Sequence, residues 1–497
     1  MMTFKRSSGV LLHVSSLPGQ DGIGDLGSVA YQFVDFLSAT RTKLWQVLPL
    51  NPTGYGNSPY QGLSASAGNP LFISLEELIP LGILSKKELS KRPRFSKNMV
   101  DFGKVILWKM GKLHQAFLNF QYRKTPQQEK DFRKFCGKNK DWLDDFALFM
   151  TIKNQQELHA WDAWPDALRF RDPAAIKEFA RLNKDSITEE KFYQYLFFEQ
   201  WQRLKKYANQ KGVQIVGDIP IFVGFDCADT WTNPDLFYFD DQFKPTIVAG
   251  VPPDFFSETG QLWGNPLYDW EKHKKSGYQW WIRRIQNTLD LVDIIRLDHF
   301  RGFAGFYAIP AGNKTAEIGE WMDGPRSDLF DALYAHFGDL PFIAEDLGVM
   351  TPDVVELRER YNLPGMKIVQ FGFNPSPEVD FQPHHIQENA VAYTGTHDNS
   401  TAKGWFKSVP EEAQDYFLAY AGQTKETIAH AMIRLLWMSS AVFAVAPMQD
   451  LLDLGDEARM NLPGSLGNNW EWKMDAKWES DKLRHWFAEI NHLYSRD

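Results

Sequence analysis

Ile294-Ile295-Arg296-Leu297-Asp298-His299-Phe300 reads as a short strand, buried on both faces, that ends on a carboxylate. Two other stretches repeat the pattern. Phe342-Ile343-Ala344-Glu345-Asp346 delivers Glu345, and Val391-Ala392-Tyr393-Thr394-Gly395-Thr396-His397-Asp398 delivers Asp398. After each acid the apolar run gives way to Gly, Asn or a polar loop. In a barrel of parallel strands the carboxyl ends all open on one face, and such barrels keep their catalytic groups there. The pattern predicts three acids gathered at one barrel mouth.

Working outward, eight apolar runs of strand length recur, at residues 10–15, 44–50, 214–223, 293–299, 342–347, 366–373, 390–396 and 441–448. Most are followed by a Gly, Pro or Asn loop and then a helical pattern. Eight strands alternating with helices predict a closed (β/α)₈ TIM barrel rather than an open sheet. Between the first two runs Asp25 can cap a helix with Val29, Phe33, Phe36 and Leu37 as its apolar stripe. The second and third runs lie far apart. The stretch 76–209 between them is rich in Lys, Glu, Gln and Trp and predicts a helical subdomain inserted in a barrel loop. Its last helix carries Tyr193, Phe197, Trp201, Leu204 and Ala208 on one face and stops at Gly212. A second insertion after the third run, 224–270, is dense in Pro, Gly, Trp, Phe and Asp and reads as irregular. The whole, 1–497, reads as one catalytic barrel unit.

The composition is globular: 497 residues, 43% hydrophobic and 24% charged. A net charge of −9 argues against a nucleic-acid partner. Two cysteines, Cys136 and Cys227, lack metal-type spacing and fit a reducing compartment. No stretch approaches the length of a membrane span. Lys5-Arg6 before an apolar segment imitates a signal peptide, but the segment is too short and runs into a strand and its loop. The expected location is the cytoplasm.

Arg296 and Asp298 are two apart on a strand and point the same way. If that way is the barrel mouth, Arg296 holds Asp298 ionised, as a nucleophile requires. Glu345 follows three apolar residues, and partial burial would let it keep a proton near neutrality, as a general acid must. Asp398, beside His397, could hydrogen-bond sugar hydroxyls. A single strand-end acid reads as readily as a cap or a structural ion pair. Three at the ends of three barrel runs suggest glycosidic-bond chemistry. The 18 Trp and 37 Phe fit both a large core and rings that stack on flat sugar faces.

Arg296-Leu297-Asp298-His299-Phe300-Arg301-Gly302, Ala344-Glu345-Asp346-Leu347-Gly348 and Thr396-His397-Asp398-Asn399 resemble the active-site blocks of the 4-α-glucanotransferases, also called amylomaltases or disproportionating enzymes, of the α-amylase clan. So do Gly54-Tyr55-Gly56-Asn57-Ser58-Pro59-Tyr60-Gln61 and the Pro-rich stretch from Gly250 through Pro252, Pro253, Asp254 and Trp263 to Pro266. The resemblance covers essentially the whole chain. It implies that Asp298 is the nucleophile, Glu345 the acid/base and Asp398 the transition-state-stabilising acid. Arg296 and His397 would position substrate, with Tyr60 and Ser58 as further sugar contacts. The Pro-rich stretch is similar to the family's active-site loop, with Asp254 and Trp263 on it. The implied activity is retaining transfer of a segment of an α-1,4-glucan to the 4-hydroxyl of glucose or a maltodextrin. Maltooligosaccharides are the expected partners, with no cofactor and no metal. A retaining hydrolase would use the same acids, and a silent glucan-binding protein would keep the groove alone.

The Pro-rich stretch also has its own reading. Pro252-Pro253 stiffens one end, Gly250, Gly260 and Gly264 supply flexible points, and Phe255, Phe256, Leu262 and Trp263 could cover a sugar chain. Gly22-Ile23-Gly24-Asp25-Leu26-Gly27 imitates a dinucleotide fingerprint, but no ribose-binding acid ends a second strand, so a tight loop is expected. His384-His385 lacks companions for a metal and reads as a surface loop.

Overall fold

The computed structural model describes residues 3–253, 257–422, 425–465 and 467–497. Along them run β1 (Ser7–Leu11), β2 (Leu44–Gln46), β3 (Gln214–Ile219), β4 (Ile247–Val251), β5 (Gln261–Pro266), β6 (Ile294–Leu297), β7 (Gly305–Pro310), β8 (Glu320–Asp323), β9 (Phe342–Ala344), β10 (Gly365–Ile368), β11 (Ala390–Tyr393) and β12 (Phe443–Pro447). Eight of them form one sheet in the order β10-β11-β12-β1-β2-β3-β6-β9. Every pairing in it is parallel. The two ends meet: the Ala344 N–H donates to the Pro364 carbonyl at 2.9 Å, and the Met366 N–H to Asp346 Oδ1 at 2.6 Å. The sheet is a nearly closed (β/α)₈ barrel, and each of the eight apolar runs supplies one of its strands.

The runs read well because both faces of these strands are covered. Ile294, Ile295, Leu297, Phe342, Ile343 and Val391 are all buried. The first strand begins at Ser7, earlier than expected. Ser7 and Ser8 are polar yet buried, and the Ser8 hydroxyl is satisfied by the Arg496 carbonyl at 3.2 Å. The helix Ser28–Ala39 buries Ala30, Phe33, Val34, Phe36 and Leu37. Its N-cap is Gly27, not Asp25. Asp25 instead accepts the Gly27 N–H at 2.9 Å, closing a turn one step upstream.

Between β2 and β3 lies the helical insertion, with helices Phe102–Arg123, Pro126–Lys138, Lys140–Gln155, Pro173–Leu182 and Lys184–Gln210. The last buries Tyr193, Phe197, Trp201, Leu204 and Ala208, and the Trp201 indole donates to the Leu291 carbonyl at 2.8 Å. The chain then turns at Gly212, with φ 76°, into β3. Phe146, Phe149 and Ile152 of this insertion share a small core with Trp161, Trp164 and Trp231, so the segments after β2 and after β3 brace each other.

The stretch after β3 is more regular than its composition suggests. β4 and β5 pair with β7 and β8 in an antiparallel sheet of order β5-β4-β7-β8. β4 takes its central partner, β7, from beyond β6, so no local signal announces it. No helix among the described residues is long and apolar enough to cross a membrane.

Candidate active site

The mouth of the barrel is organised around one guanidinium. Arg296 on β6 is 4% exposed. Its Nη1 lies 2.8 Å from both carboxylate oxygens of Asp218 and 2.7 Å from Asp298 Oδ1. Asp218 sits opposite Arg296 in the β3–β6 register. Burial works against the Arg296 charge, but Asp218 and Asp298 outweigh it and hold the group ionised well above its ordinary range. Burial also pushes the Asp218 carboxyl up, against Arg296. With both its oxygens at 2.8 Å from the cation we read the pair as ionised. The Tyr60 hydroxyl donates to Asp218 Oδ2 at 2.7 Å, and burial raises the phenol well above its usual range, so it stays a donor.

Glu345 follows β9 directly, next to β6 in the barrel. Its Oε2 accepts the His299 N–H at 2.7 Å and its Oε1 the Leu347 N–H at 3.1 Å. His299 adopts a left-handed backbone (φ 50°) immediately after Asp298, and this turn aims its N–H at Glu345. Burial, with Asp298 second, pushes the Glu345 carboxyl up to about 7, and Arg296 and the two N–H bonds only partly oppose that.

Asp398 has the opposite environment. Burial would raise it, but His397, hydrogen bonds from His397 and Asn461, and Arg296 hold it down at about 2. His397 Nε2 is 3.3 Å from Asp398 Oδ2. The Asn461 side-chain amide donates to Asp398 Oδ1 at 2.6 Å, and Arg459 to the Asp398 carbonyl at 2.5 Å. Asp398 in turn raises His397 above the ordinary imidazole value, against burial. The His397 ring stacks on Tyr60 at 5.1 Å and 16°, with Trp470 against both. Arg296, Asp298, Glu345, His397, Asp398 and Tyr60 therefore form one connected cluster.

The other residues named from sequence lie around it. Ser58 Oγ accepts the Tyr60 N–H at 3.3 Å, shaping the turn that presents the phenol. Trp263 on β5 is partly buried, edge-on to the His299 ring at 4.8 Å. Asp254, with Phe255 and Phe256, lies outside the described residues. Asp218, Arg459, Asn461 and Trp470 were not singled out from sequence. Only Asp218 carried a signal: an Asp inside an apolar run needs a buried counter-charge.

A parallel barrel that gathers carboxylates of contrasting ionisation at the ends of its strands is built like an enzyme acting on glycosidic bonds. The comparisons agree with that class. The 4-alpha-glucanotransferase family profile matches residues 12–477. A 4-alpha-glucanotransferase of Streptococcus pneumoniae serotype 4 is 46% identical over 99% of this chain and 98% of its own. One from Synechocystis is 45% identical over 100% and 99%. The amylomaltase from Streptococcus agalactiae, solved in complex with acarbose, superposes with a TM-score of 0.96 at 39% identity, covering 99% of this chain and 100% of its own. The chain belongs to the 4-alpha-glucanotransferase family.

Proposed function

We propose that this protein is a cytoplasmic 4-α-glucanotransferase that disproportionates maltooligosaccharides by double displacement, with Asp298, Glu345 and Asp398 as its catalytic acids. The observation that carries the reading is the contrast between neighbours. Glu345 is raised to about 7, while Asp298 lies against a guanidinium at 2.7 Å. One carboxyl keeps a proton to give and the other is free to attack. Glu345 protonates the leaving glycosidic oxygen as Asp298 attacks the anomeric carbon. The C–O bond breaks, the shortened chain leaves with the proton, and a glycosyl ester remains on Asp298. Glu345 then takes the proton of an acceptor 4-hydroxyl, whose oxygen displaces Asp298 and restores the α-1,4 link. Asp398, held by His397 and Asn461, accepts hydrogen bonds from hydroxyls of the distorted sugar. Arg296 and His397 position substrate, and Tyr60, Ser58, Asp254 and Trp263 extend its contacts. Glucose or a maltodextrin is the acceptor. The chain works as one barrel unit, 1–497, with 76–209 and 224–270 as insertions that wall the groove.

Incubation with pure maltotriose is expected to yield glucose together with a ladder of longer α-1,4 chains at constant total reducing ends, because each transfer conserves linkages. Rising reducing ends, with only glucose and maltose formed, would make the protein a hydrolase. No product at all would leave a glucan-binding protein.

Replacing Trp263 by Ala is expected to raise the share of hydrolysis, because water reaches the intermediate more easily and the acceptor loses a stacking surface. The ratio of released reducing ends to transferred chains measures this, with a thermal melt alongside. An unchanged ratio with a large fall in Tm would make Trp263 a packing residue of the insertion.

A further inference from the structure

In the antiparallel sheet, Leu262 lies opposite Gly250, Gly250 opposite Tyr307, and Tyr307 opposite Trp321. Residues directly opposite share a face, and neighbours along a strand point to opposite faces. This row is therefore on the face away from Trp263 and Phe306, the latter buried against Phe222. At its end Trp321 is 46% exposed, on an edge strand beside the small core of Val248, Tyr307, Ile309 and Ala316. The ring is nevertheless held. The Arg301 guanidinium lies over it at 4.1 Å, and Tyr307 packs against it at 5.4 Å and 60°. Arg301 is itself anchored, donating to the Val349 carbonyl at 2.6 Å and to Thr351 Oγ1 at 3.2 Å.

We propose that Trp321 is the centre of a second α-glucan-binding surface, separate from the barrel mouth, that anchors long glucan chains. The proposal rests on the function proposed above, which supplies the ligand class. A flat indole fixed in advance loses little entropy when a sugar face stacks on it. The surroundings suit a sugar chain better than a protein partner. Asp323, two residues on and so on the same face of β8, stands exposed as a hydrogen-bonding group for hydroxyls, and the large apolar side chains exposed on neighbouring segments, Leu262, Ile318 and Val349, come from three separate stretches of chain. The surface lies on the other face of the sheet from Trp263, and Arg301 ties it to the candidate active site. Arg301 is three residues beyond Asp298 in the chain, and β8 is three strand spacings, roughly 14 Å, from the strand that carries Trp263. A polymer held here keeps its chain ends near the barrel mouth.

The test is native electrophoresis through gels containing glycogen. It compares Glu345→Gln, which leaves the polymer uncut, with the same chain carrying Trp321→Ala or Trp321→Phe. Trp321→Ala is expected to weaken the apparent affinity for glycogen by about fivefold, and Trp321→Phe by less. Trp321→Ala in the active enzyme is expected to leave kcat and KM for maltotriose unchanged. Equal retardation of all three proteins, or none for any of them, overturns the proposal. So does a matching loss of maltotriose turnover and Tm, which would make Trp321 a structural residue. Failure of the wild-type protein to disproportionate maltotriose while glycogen retardation still depends on Trp321 would defeat the transferase reading and not this one.

Discussion

Replacing Asp298 by Asn is expected to abolish transfer, lowering kcat on maltotriose by about 10⁴-fold or more, with little change in the fold. The amide is nearly isosteric but is a poor nucleophile, so the glycosyl ester does not form. Arg296 keeps Asp218, at 2.8 Å, as its buried counter-ion, so the substitution leaves no orphaned charge in the core. Disproportionation of maltotriose, with a thermal melt as control, checks this. Residual activity within tenfold of wild type would remove Asp298 from the reaction.

Replacing Glu345 by Gln is expected to cost about 10²- to 10⁴-fold on maltotriose. An α-maltosyl fluoride donor, whose leaving group needs no proton, should recover most of the loss in the first step. In the wild-type enzyme the acid must enter the reaction protonated. With Glu345 raised to about 7, kcat/KM should fall as pH rises through that value. The same shift has a stability side. A carboxyl whose folded-state value lies above its ordinary 4.5 favours the folded state less once it ionises. The cost is absent below 4.5 and complete above about 7. Glu345→Gln should therefore melt higher than wild type at pH 8, and the gap should narrow toward pH 4. A flat wild-type profile between pH 6 and 8, with no such gap, would mean that Glu345 is ionised throughout and is not the acid.

The barrel could be read from the chain because strands covered on both faces are continuous apolar runs, and a charge that ends such a run is conspicuous. That logic found Asp298, Glu345 and Asp398. It missed Asp218, which stands inside its run beside Gly217, because the partner that makes it tolerable is 78 residues away and the register joining them is not local. It missed Arg459, Asn461 and Trp470 because they come from a loop with no periodicity. β8 was invisible for a related reason: Glu320–Asp323 is four residues long, begins and ends on an acid, and is partly buried only at Met322. The cap at Asp25 failed by a small margin, since an Asp that closes a turn before a helix looks like one that starts it.

One feature of the ring has a temporal meaning. β12 pairs with β1 on one side and β11 on the other, and the loop beyond it delivers Arg459 and Asn461 to Asp398. On a ribosome, the three acids have all been synthesised once residue 398 is joined. At that stage the ring is open, Asp398 lacks its amide partner, and Tyr60 has no Trp470 behind it. β12 closes the ring, and residues 459–470 beyond it complete the surroundings of Asp398 and Tyr60, so a chain cut between residues 398 and 443 carries all three acids without the partners that hold them.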